Sequence, residues 1–410
     1  ASPWPALRSA TDASRRPDGT VYDVREKVMK NKILAKLLVA SLASLSFATN
    51  TIACTVLMYR DANGNVYTGR TLEYAGMLPD ELTYYPVGTR IESMAPDGRP
   101  GVTFQTKHAI VGATVKGLVP GAKQDALLEA VNDQGMSFTV NAFTDNSQPR
   151  LTLPADKVMS VLDFGAWALG NFRNTGEVKQ ALGRKEIEVW LPAIQIMWNM
   201  LAPFHFALFD RSGDGIVVEF SDGRINVYDN TAGVMTNDPP YPWHLKNLNN
   251  FAGLTNVDKN TGQFGRQKVA AFDAGGALRG LPASNLSPDR FVKAAYYSTY
   301  AAKAKTPEEA IQTLSHVMNN FDRPVGITID EPGTGGKGES ASQTRTTSEA
   351  TWFTVMNDLA RGQFYIRTIR MINYVRIDIG RLSGLKSVKV VSFDALNQHQ
   401  GLDGTGLFLQ

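Results

Sequence analysis

Short runs in which apolar and polar residues alternate recur along the chain from residue 54 onward. This period of two is typical of strands with one buried face, and Gly, Asn and Asp between such runs are typical of hairpin turns. The first two runs flank Asn63-Gly64, a strong hairpin signal. The pattern predicts early strands at 55–60, 66–72, 82–87, 108–116, 126–132 and 136–143. It predicts later strands at 204–210, 215–221, 224–230, 233–237, 350–358, 363–370, 372–379 and 386–393.

Apolar residues at spacings of three and four predict helices between these groups of strands. The helices are expected at 157–171 and 175–183. Ser287-Pro288 has the residues of an N-cap and a first helical position, and Thr306 with Glu309 forms a capping box for a helix that runs to about Asn319. The Gly-, Ser- and Thr-rich segment 331–348 is expected to be a mobile surface loop.

The order of these elements is strands, helices, strands, helices, strands, with tight hairpins inside each strand group. Consecutive hairpins favour antiparallel sheets, because parallel strands need long crossover connections. The sequence therefore predicts an α+β fold in which helices cover antiparallel sheets. We expect residues 54–410 to form a single domain.

Residues 29–53 have the pattern of a secretory signal peptide. Lys30, Lys32 and Lys36 precede an apolar stretch at 37–48, and the segment ends in small residues at 51–53. The apolar stretch is shorter than the ~20 residues that a membrane-spanning helix needs. Residues 1–28 are polar and Arg-rich, and we interpret them as an upstream extension outside the fold. The pattern predicts export across the inner membrane to a periplasmic or extracellular location, without stable membrane insertion after processing.

Removal of this leader changes the charge of the chain. The net charge is +3, and residues 1–53 hold eight Lys and Arg against four Asp and Glu, so the remaining chain carries −1. A nearly neutral chain gives no electrostatic reason to expect nucleic acid as a partner. The five histidines are scattered without a close pair and there is no second cysteine, so we predict no metal site.

Cleavage after Ala53 would make the chain's single cysteine, Cys54, its first residue. An N-terminal cysteine carries its own base, since the free α-amine, with a pKa of roughly 7.7–8.0, can accept the thiol proton. Two other interpretations remain open. Cys54 could be the lipidated residue of a lipoprotein, although Thr51 stands where that signal has Leu, or it could be an unreactive buried cysteine.

Several segments together resemble the choloylglycine hydrolases, a family of N-terminal-nucleophile hydrolases that includes bile salt hydrolases and penicillin V acylases. They are Cys54-Thr55, GRTLEY at 69–74, VNDQGMSFTVNAF at 131–143, VMTNDPPYPWHL at 234–245 and GLPASNLSPDRFVKAAY at 280–296. The resemblance implies a four-layer αββα fold and hydrolysis of a small N-acyl amide without a cofactor. It also implies a homo-oligomer, specifically a homotetramer.

The resemblance also assigns roles to single residues. Cys54 would be the nucleophile and its α-amine the general base. Arg70 and Arg290 would flank the thiol and hold substrate charge, whereas Asn141 and Asn237 would furnish the oxyanion hole. Glu73 stands where the family usually has Asp, so its contact with the cysteine amine is in doubt.

Each of these residues also has an ordinary structural explanation. Arg70 alone would be a surface cation, Glu73 a solvated carboxylate or ion-pair partner and Arg290 a partner of Asp289, while both asparagines would be turn formers or strand-end hydrogen bonders. The side chains of Met58, Tyr74, Met77, Tyr84, Phe143 and Trp243 suit an apolar acyl group, or simply core packing. Penicillin V is the first substrate expected, with conjugated bile salts and N-acyl homoserine lactones as close alternatives. The alternative class is a lipid-anchored periplasmic binding or structural protein.

Overall fold

The computed structural model describes residues 53–75, 78, 80–197, 199–329 and 348–410. Its strands are β1 (Cys54–Arg60), β2 (Val66–Tyr74), β3 (Asp80–Tyr85), β4 (Arg90–Met94), β5 (Pro100–Gln105), β6 (Ile110–Val115), β7 (Ala126–Asn132), β8 (Met136–Ala142), β9 (Val158–Ser160), β10 (Glu188–Trp190), β11 (Ala193–Ile194), β12 (Met200–Leu201), β13 (Phe204–Asp210), β14 (Gly215–Ser221), β15 (Arg224–Asp229), β16 (Val234–Met235), β17 (Thr261–Phe264), β18 (Gln267–Ala270), β19 (Ala350–Asp358), β20 (Gln363–Thr368), β21 (Val375–Asp378) and β22 (Lys389–Ser392). Its α-helices are α1 (Phe164–Asn171), α2 (Thr175–Gly183), α3 (Tyr241–Asn247), α4 (Ser287–Tyr300), α5 (Pro307–Met318) and α6 (Phe393–Gln398).

Two antiparallel sheets dominate the architecture. One has six strands in the order β16-β1-β2-β19-β20-β21, and the other has eight in the order β15-β14-β13-β8-β7-β6-β3-β22. Helix α4 packs on β1, and α5 packs on β2 and β19, whereas α1 lies on β7 and β8 and α2 on β13 and β14. The sheets face each other where β1 meets β8. The predicted four-layer αββα arrangement is therefore confirmed.

The hairpin of β1 and β2 shows why the sequence folds locally as predicted. Asp61 accepts hydrogen bonds from the backbone amides of Asn63 and Asn65, at 2.8 and 2.9 Å, and closes the turn. Gly64 has φ +84°, a conformation that glycine adopts without steric cost. The turn fixes the register, so Cys54 lies opposite Leu72 and Val56 opposite Arg70.

The predicted helix at 157–171 is wrong in its first half. Only 164–171 is α-helical, while 158–160 forms β9 and pairs in parallel with β10. The backbone amide of Ser160 donates to the Ser93 hydroxyl at 2.8 Å, which fixes this extended segment. Spacings of three and four do not separate a short buried strand from a helical turn, because both place apolar residues inward.

The other predicted helices agree with the structure apart from one cap. Helix α2 has the predicted bounds, and the Thr306 hydroxyl accepts from the Glu309 amide at 3.2 Å at the start of α5. In α4, however, Leu286 is the N-cap and Ser287 is the first helical residue. The hairpins β4-β5 and β17-β18 and the short helix α3 were not predicted.

Several predictions concern segments that the structure does not describe. The upstream extension at 1–28, the signal peptide at 29–53 except Ala53, and the loop at 331–348 except Ser348 lie outside the described residues. The assignment of 54–410 to one domain stays a prediction. Among the described helices, none has both the length and the apolar character needed to cross a membrane.

Candidate active site

The thiol of Cys54 lies at the first residue of β1, buried between the two sheets with 1% of its surface exposed. Because side chains alternate along a strand, Cys54 and the paired Leu72 project from the same face as Val56 and its partner Arg70. Arg70 is therefore a diagonal neighbour of the cysteine. Its Nη2 lies 3.4 Å from Sγ.

Arg70 connects the two sheets at this point. The same Nη2 donates to the backbone oxygen of Val140 in β8 at 2.8 Å, and the guanidinium lies over the Phe353 ring at 5.1 Å. Only 1% of Arg70 is exposed, so the prediction from the isolated residue, a surface cation, is wrong. The strand pairing places this charge beside the thiol.

Burial and charge act in opposite directions on Cys54. Burial raises the pKa of the thiol, because the thiolate loses its hydration. The positive charges of Arg70 and Arg290 lower this pKa, whereas the negative charge of Glu73 raises it. The thiol is thus protonated in this environment, and a base is needed to remove its proton.

Asn237 and Arg290 hold the backbone of Cys54. The Cys54 nitrogen donates to Asn237 Oδ1 at 2.9 Å, and Arg290 Nη2 donates to the same oxygen at 2.7 Å. Arg290 Nη1 donates to the carbonyl oxygen of Cys54 and, at 2.8 Å, to the hydroxyl of Thr55. Arg290 is 2% exposed, and burial lowers its pKa to about 10. Its guanidinium lies inside the site, whereas Asp289 accepts from the hydroxyl of Ser284, so the alternative that Arg290 is simply a partner of Asp289 is wrong.

Both predicted oxyanion-hole asparagines lie at the site, but their amides bind backbone carbonyls. Asn141 Nδ2 donates to the carbonyl oxygen of Thr236 at 2.6 Å and lies 3.5 Å from that of Cys54. Asn237 Nδ2 donates to the carbonyl oxygen of Ala142 at 2.8 Å. In this state the two amides join β8 to the segment after β16. Each side-chain amide nitrogen has two N–H donors, so an oxyanion could be a further acceptor beside these carbonyls.

Glu73 is fully buried in β2 near the site. Its backbone amide donates to the carbonyl oxygen of Ala53 at 2.8 Å, and its Oε1 accepts from Thr351 Oγ1 at 3.1 Å. Burial raises the pKa of Glu73, while the charges of Arg290 and Arg323 lower it. The nitrogen of Cys54 donates to Asn237, not to this carboxylate, in the hydrogen bonds of the described residues.

Two further residues support Asn237, and the sequence did not identify them. The backbone amide of Asn237 donates to Ser287 Oγ at 2.9 Å, and its carbonyl oxygen lies 2.9 Å from His244 Nε2. Burial lowers the pKa of His244 to about 4, so its ring is neutral near pH 7 and donates from Nε2. Ser287 had the sequence pattern of a helix cap, which hid this contact with a distant segment.

An apolar cavity of about 40 Å³ opens beside the thiol. Besides Cys54 and Arg70, its wall includes Leu72, Leu78, Leu118 and Met197. Of the six predicted pocket residues, Tyr74 lines this cavity and Met77 lies outside the described residues. Phe143 instead stacks on His205, and Trp243 is 44% exposed. The space holds only a few water molecules, so an acyl group must displace side chains to enter.

Metal ligands are not grouped at this site. Within the described ranges, the structure contains no cluster of three or more His, Cys, Asp or Glu side chains that could hold a metal ion.

Two facing antiparallel sheets with helices on their outer faces, and a buried cysteine at the start of β1, are features of the N-terminal-nucleophile hydrolase fold. The family model of the linear amide C–N hydrolases, choloylglycine hydrolase family, matches residues 54–390. The chain belongs to this family and is a hydrolase of linear amide C–N bonds.

Individual relatives agree with this assignment. A conjugated bile acid hydrolase from Lactobacillus acidophilus is 28% identical over 288 residues, which cover 68% of this chain and 85% of the relative. A crystal structure of a conjugated bile acid hydrolase from Clostridium perfringens has a TM-score of 0.68 at 23% identity and covers 83% of this chain and 97% of its own. A penicillin V acylase structure from Agrobacterium tumefaciens has a TM-score of 0.66 at 21% identity, with 85% and 94% covered. These two structures show the fold.

Proposed function

We propose that the protein is an N-terminal cysteine amidohydrolase that cleaves N-acyl amides through a thioester. The observation that carries this proposal is the position of Cys54, whose sulfur lies 3.4 Å from Arg70 Nη2 and whose nitrogen is held by Asn237 at 2.9 Å. The buried thiol is protonated, and a base on the same residue can remove its proton. Export and cleavage after Ala53 would expose that base as a free α-amine, in a periplasmic or extracellular protein.

The proposed reaction proceeds in two halves. The α-amine accepts the thiol proton while sulfur attacks the acyl carbonyl carbon, and the resulting ammonium then protonates the leaving nitrogen as the C–N bond breaks. Water next attacks the thioester with the amine as base, which releases the acid and restores the thiol. Asn141 and Asn237 are the proposed oxyanion donors, through their side-chain N–H groups, and each such donor typically contributes 10²–10³ in rate.

The substrate proposal follows the shape and polarity of the site. The wall beside Cys54 is apolar, which suits an apolar acyl group on a polar amine. Penicillin V remains our first candidate because its phenoxyacetyl group is smaller than a steroid or a long acyl chain. Conjugated bile salts and N-acyl homoserine lactones are the alternatives. All three require Leu78 or a neighbour to move.

A direct test compares Cys54→Ser and Cys54→Ala with the wild type on penicillin V, glycocholate and an N-acyl homoserine lactone. The account expects a sharp loss in Cys54→Ser and no activity in Cys54→Ala. Undiminished hydrolysis of all three substrates by either variant would exclude the thioester mechanism. The intact mass of the exported protein distinguishes the hydrolase from the alternative, a lipid-anchored binding or structural protein. A diacylglyceryl adduct on Cys54 would indicate a lipoprotein.

A further inference from the structure

A second cavity, of about 230 Å³, lies beyond the one that contains Cys54. We call it the distal cavity; its wall includes Asp80 and Glu81 of β3, Trp352 of β19 and Phe393 at the start of α6. Leu78 lines both cavities, so the two spaces adjoin at this residue. A long acyl group that moves Leu78 aside would pass from the first into the second.

Asp80 is the polar group that distinguishes this cavity. It is 6% exposed, and its Oδ2 accepts from the indole Nε1 of Trp352 at 2.6 Å. Its Oδ1 is buried and has no hydrogen-bond partner in the described part of the chain. An unsatisfied buried oxygen is unfavourable, so a ligand that donates a hydrogen bond to it gains affinity.

The other charged side chains of the distal cavity pair with each other. Lys116 Nζ lies 2.6 Å from Glu81 Oε1, and Arg370 Nη1 lies 3.3 Å from Asp394 Oδ1. Neither cation pairs with Asp80. The residues of its wall therefore include two buried oxygens without a hydrogen-bond partner in the described part of the chain, Oδ1 of Asp80 and Oε2 of Glu81. Of these two carboxylates, Glu81 is in an ion pair and Asp80 is not, and the cavity carries one more acidic than basic side chain.

The protonation of Asp80 favours a neutral donor over a cation. Burial raises the pKa of its carboxyl group to about 7, although the Trp352 hydrogen bond and the charge of Arg70 lower it. Both forms of the group thus occur near neutral pH, and a hydroxyl can hydrogen-bond to either. An ammonium group would also lose hydration on the apolar path beside Leu78.

We propose that the distal cavity binds a hydroxyl group at the far end of the substrate's acyl chain, through a hydrogen bond from that hydroxyl to Oδ1 of Asp80. The inference rests on the proposed function, because it places the acyl carbonyl at Cys54. It adds a substrate class, long acyl groups with a terminal hydroxyl, that the apolar wall beside the thiol does not suggest. A site built around a hydroxyl discriminates against the analogue that lacks it.

Binding to the full-length Cys54→Ala protein tests this without hydrolysis. Calorimetry would give Kd for pairs of fatty acids of increasing chain length, each with a terminal methyl or a terminal hydroxymethyl group. Once the chain is long enough to pass Leu78, we expect the hydroxylated acid to bind about tenfold more tightly, the effect of one hydrogen bond of ~1.4 kcal/mol. Equal or weaker binding of the hydroxylated acid at every chain length would overturn the proposal.

Variants in the same background locate the effect. Asp80→Leu should abolish the preference for the hydroxyl. Asp80→Asn should keep part of it, because its single oxygen can accept from the indole of Trp352 while its N–H can donate to the hydroxyl oxygen. Asp394→Leu is the matched control, since this carboxylate lines the same cavity but its side chain is 79% exposed. A preference that survives in Asp80→Leu, or that disappears in Asp394→Leu alone, would contradict the assignment to Asp80.

Hydrolysis by the Cys54 enzyme separates this inference from the proposed function. If wild-type protein cleaves short N-acylglycines but the fatty acids show no hydroxyl preference, the distal site is wrong and the amidohydrolase proposal stands. If the hydroxyl preference is present and no acyl amide is cleaved, the binding site stands and the proposed catalytic function fails.

Discussion

At the scale of single residues, Arg70 has the most direct electrostatic effect on the nucleophile. Replacement by Met should raise the pKa of Cys54 above its wild-type value, because the charge that favours the thiolate is lost while burial remains. Arg70→Lys keeps the positive charge but not the guanidinium geometry. The pKa of Cys54 in this variant should therefore lie between its values in the wild type and in Arg70→Met. The pH dependence of iodoacetamide alkylation measures this shift. An unchanged midpoint in Arg70→Met would show that Arg70 does not stabilise the thiolate.

Glu129 of β7 is buried between the two sheets, and its protonation should affect the stability of the protein. It accepts from Thr139 Oγ1 at 2.5 Å and from Asn357 Nδ2 at 2.9 Å, and burial raises its pKa from 4.5 to about 7. Between these pH values the folded protein binds more protons than the unfolded chain. The free energy of unfolding should therefore fall as pH rises from about 4.5 to 7, by on the order of 3 kcal/mol from this group.

Urea denaturation at pH 4.5 and pH 7.5 checks this effect. Glu129→Gln should lose that part of the pH dependence, because the amide cannot take up a proton in this range. The exposed Glu186→Gln is the matched control and should follow the wild type. If wild type and Glu129→Gln lose stability equally between the two pH values, Glu129 is ionised in the same way in the folded and unfolded states.

The sequence identified the residues of the site better than it identified their contacts. Cys54 was found from the leader, while the roles of Arg70, Arg290, Asn141 and Asn237 came from the resemblance, and the structure brings all of them together. The amide partners could not be predicted, because Asn141 and Asn237 lie almost a hundred residues apart and meet only after the sheets pair. Ser287 was missed because a serine before proline already has a local explanation.

At the scale of elements, Ser287 joins α4 to the segment after β16 by hydrogen bonds. Its Oγ accepts from the Asn237 amide at 2.9 Å and lies 2.9 Å from Thr236 Oγ1. Ser287→Ala should lower kcat about tenfold, the effect of one hydrogen bond of ~1.4 kcal/mol that positions Asn237, with unchanged circular dichroism. Ser287→Thr should restore much of the activity.

Ser298→Ala provides the control for this prediction. Ser298 lies in the same helix, and its hydroxyl donates to the backbone oxygen of Ala295, one turn earlier, at 3.1 Å. Its loss should leave kcat unchanged. Equal losses in both variants would mean that Ser287 supports the helix in general, not the position of Asn237.

Strands with clear turn residues were predictable, and elements defined by their partners were not. The β1-β2 hairpin follows from Asn63-Gly64, and α5 begins at the capping residue Thr306 as expected. Segment 158–160 was misassigned because its extended conformation depends on Ser93 and β10, both distant in sequence. Hairpin β17-β18 is exposed along its whole length and lacks the alternation that marks half-buried strands.

At the scale of the whole molecule, this exposed hairpin supports the proposal of a homo-oligomer. Phe264 of β17 is 77% exposed and the nearby Phe272 is fully exposed. Large exposed aromatic side chains are typical of interaction surfaces, and the family resemblance implies a tetramer. We expect a second copy of the chain to cover the hairpin.

Light scattering on Phe264→Ser combined with Phe272→Ser should show a smaller particle than the wild type. Ile372→Ser is the matched control, because Ile372 is 91% exposed between β20 and β21, away from the hairpin in sequence, and should leave the mass unchanged. A monomeric wild type, or a double variant with wild-type mass, would contradict the proposed interface.

The central claim is that the free α-amine of Cys54 is the base for its own thiol. N-terminal sequencing during maturation, with the specific activity of each sample on its best substrate, tests this most directly. We expect activity to be proportional to the fraction of chains beginning at Cys54 and to vanish when that fraction is zero. Full activity in chains that still carry Ala53 before the cysteine would contradict it.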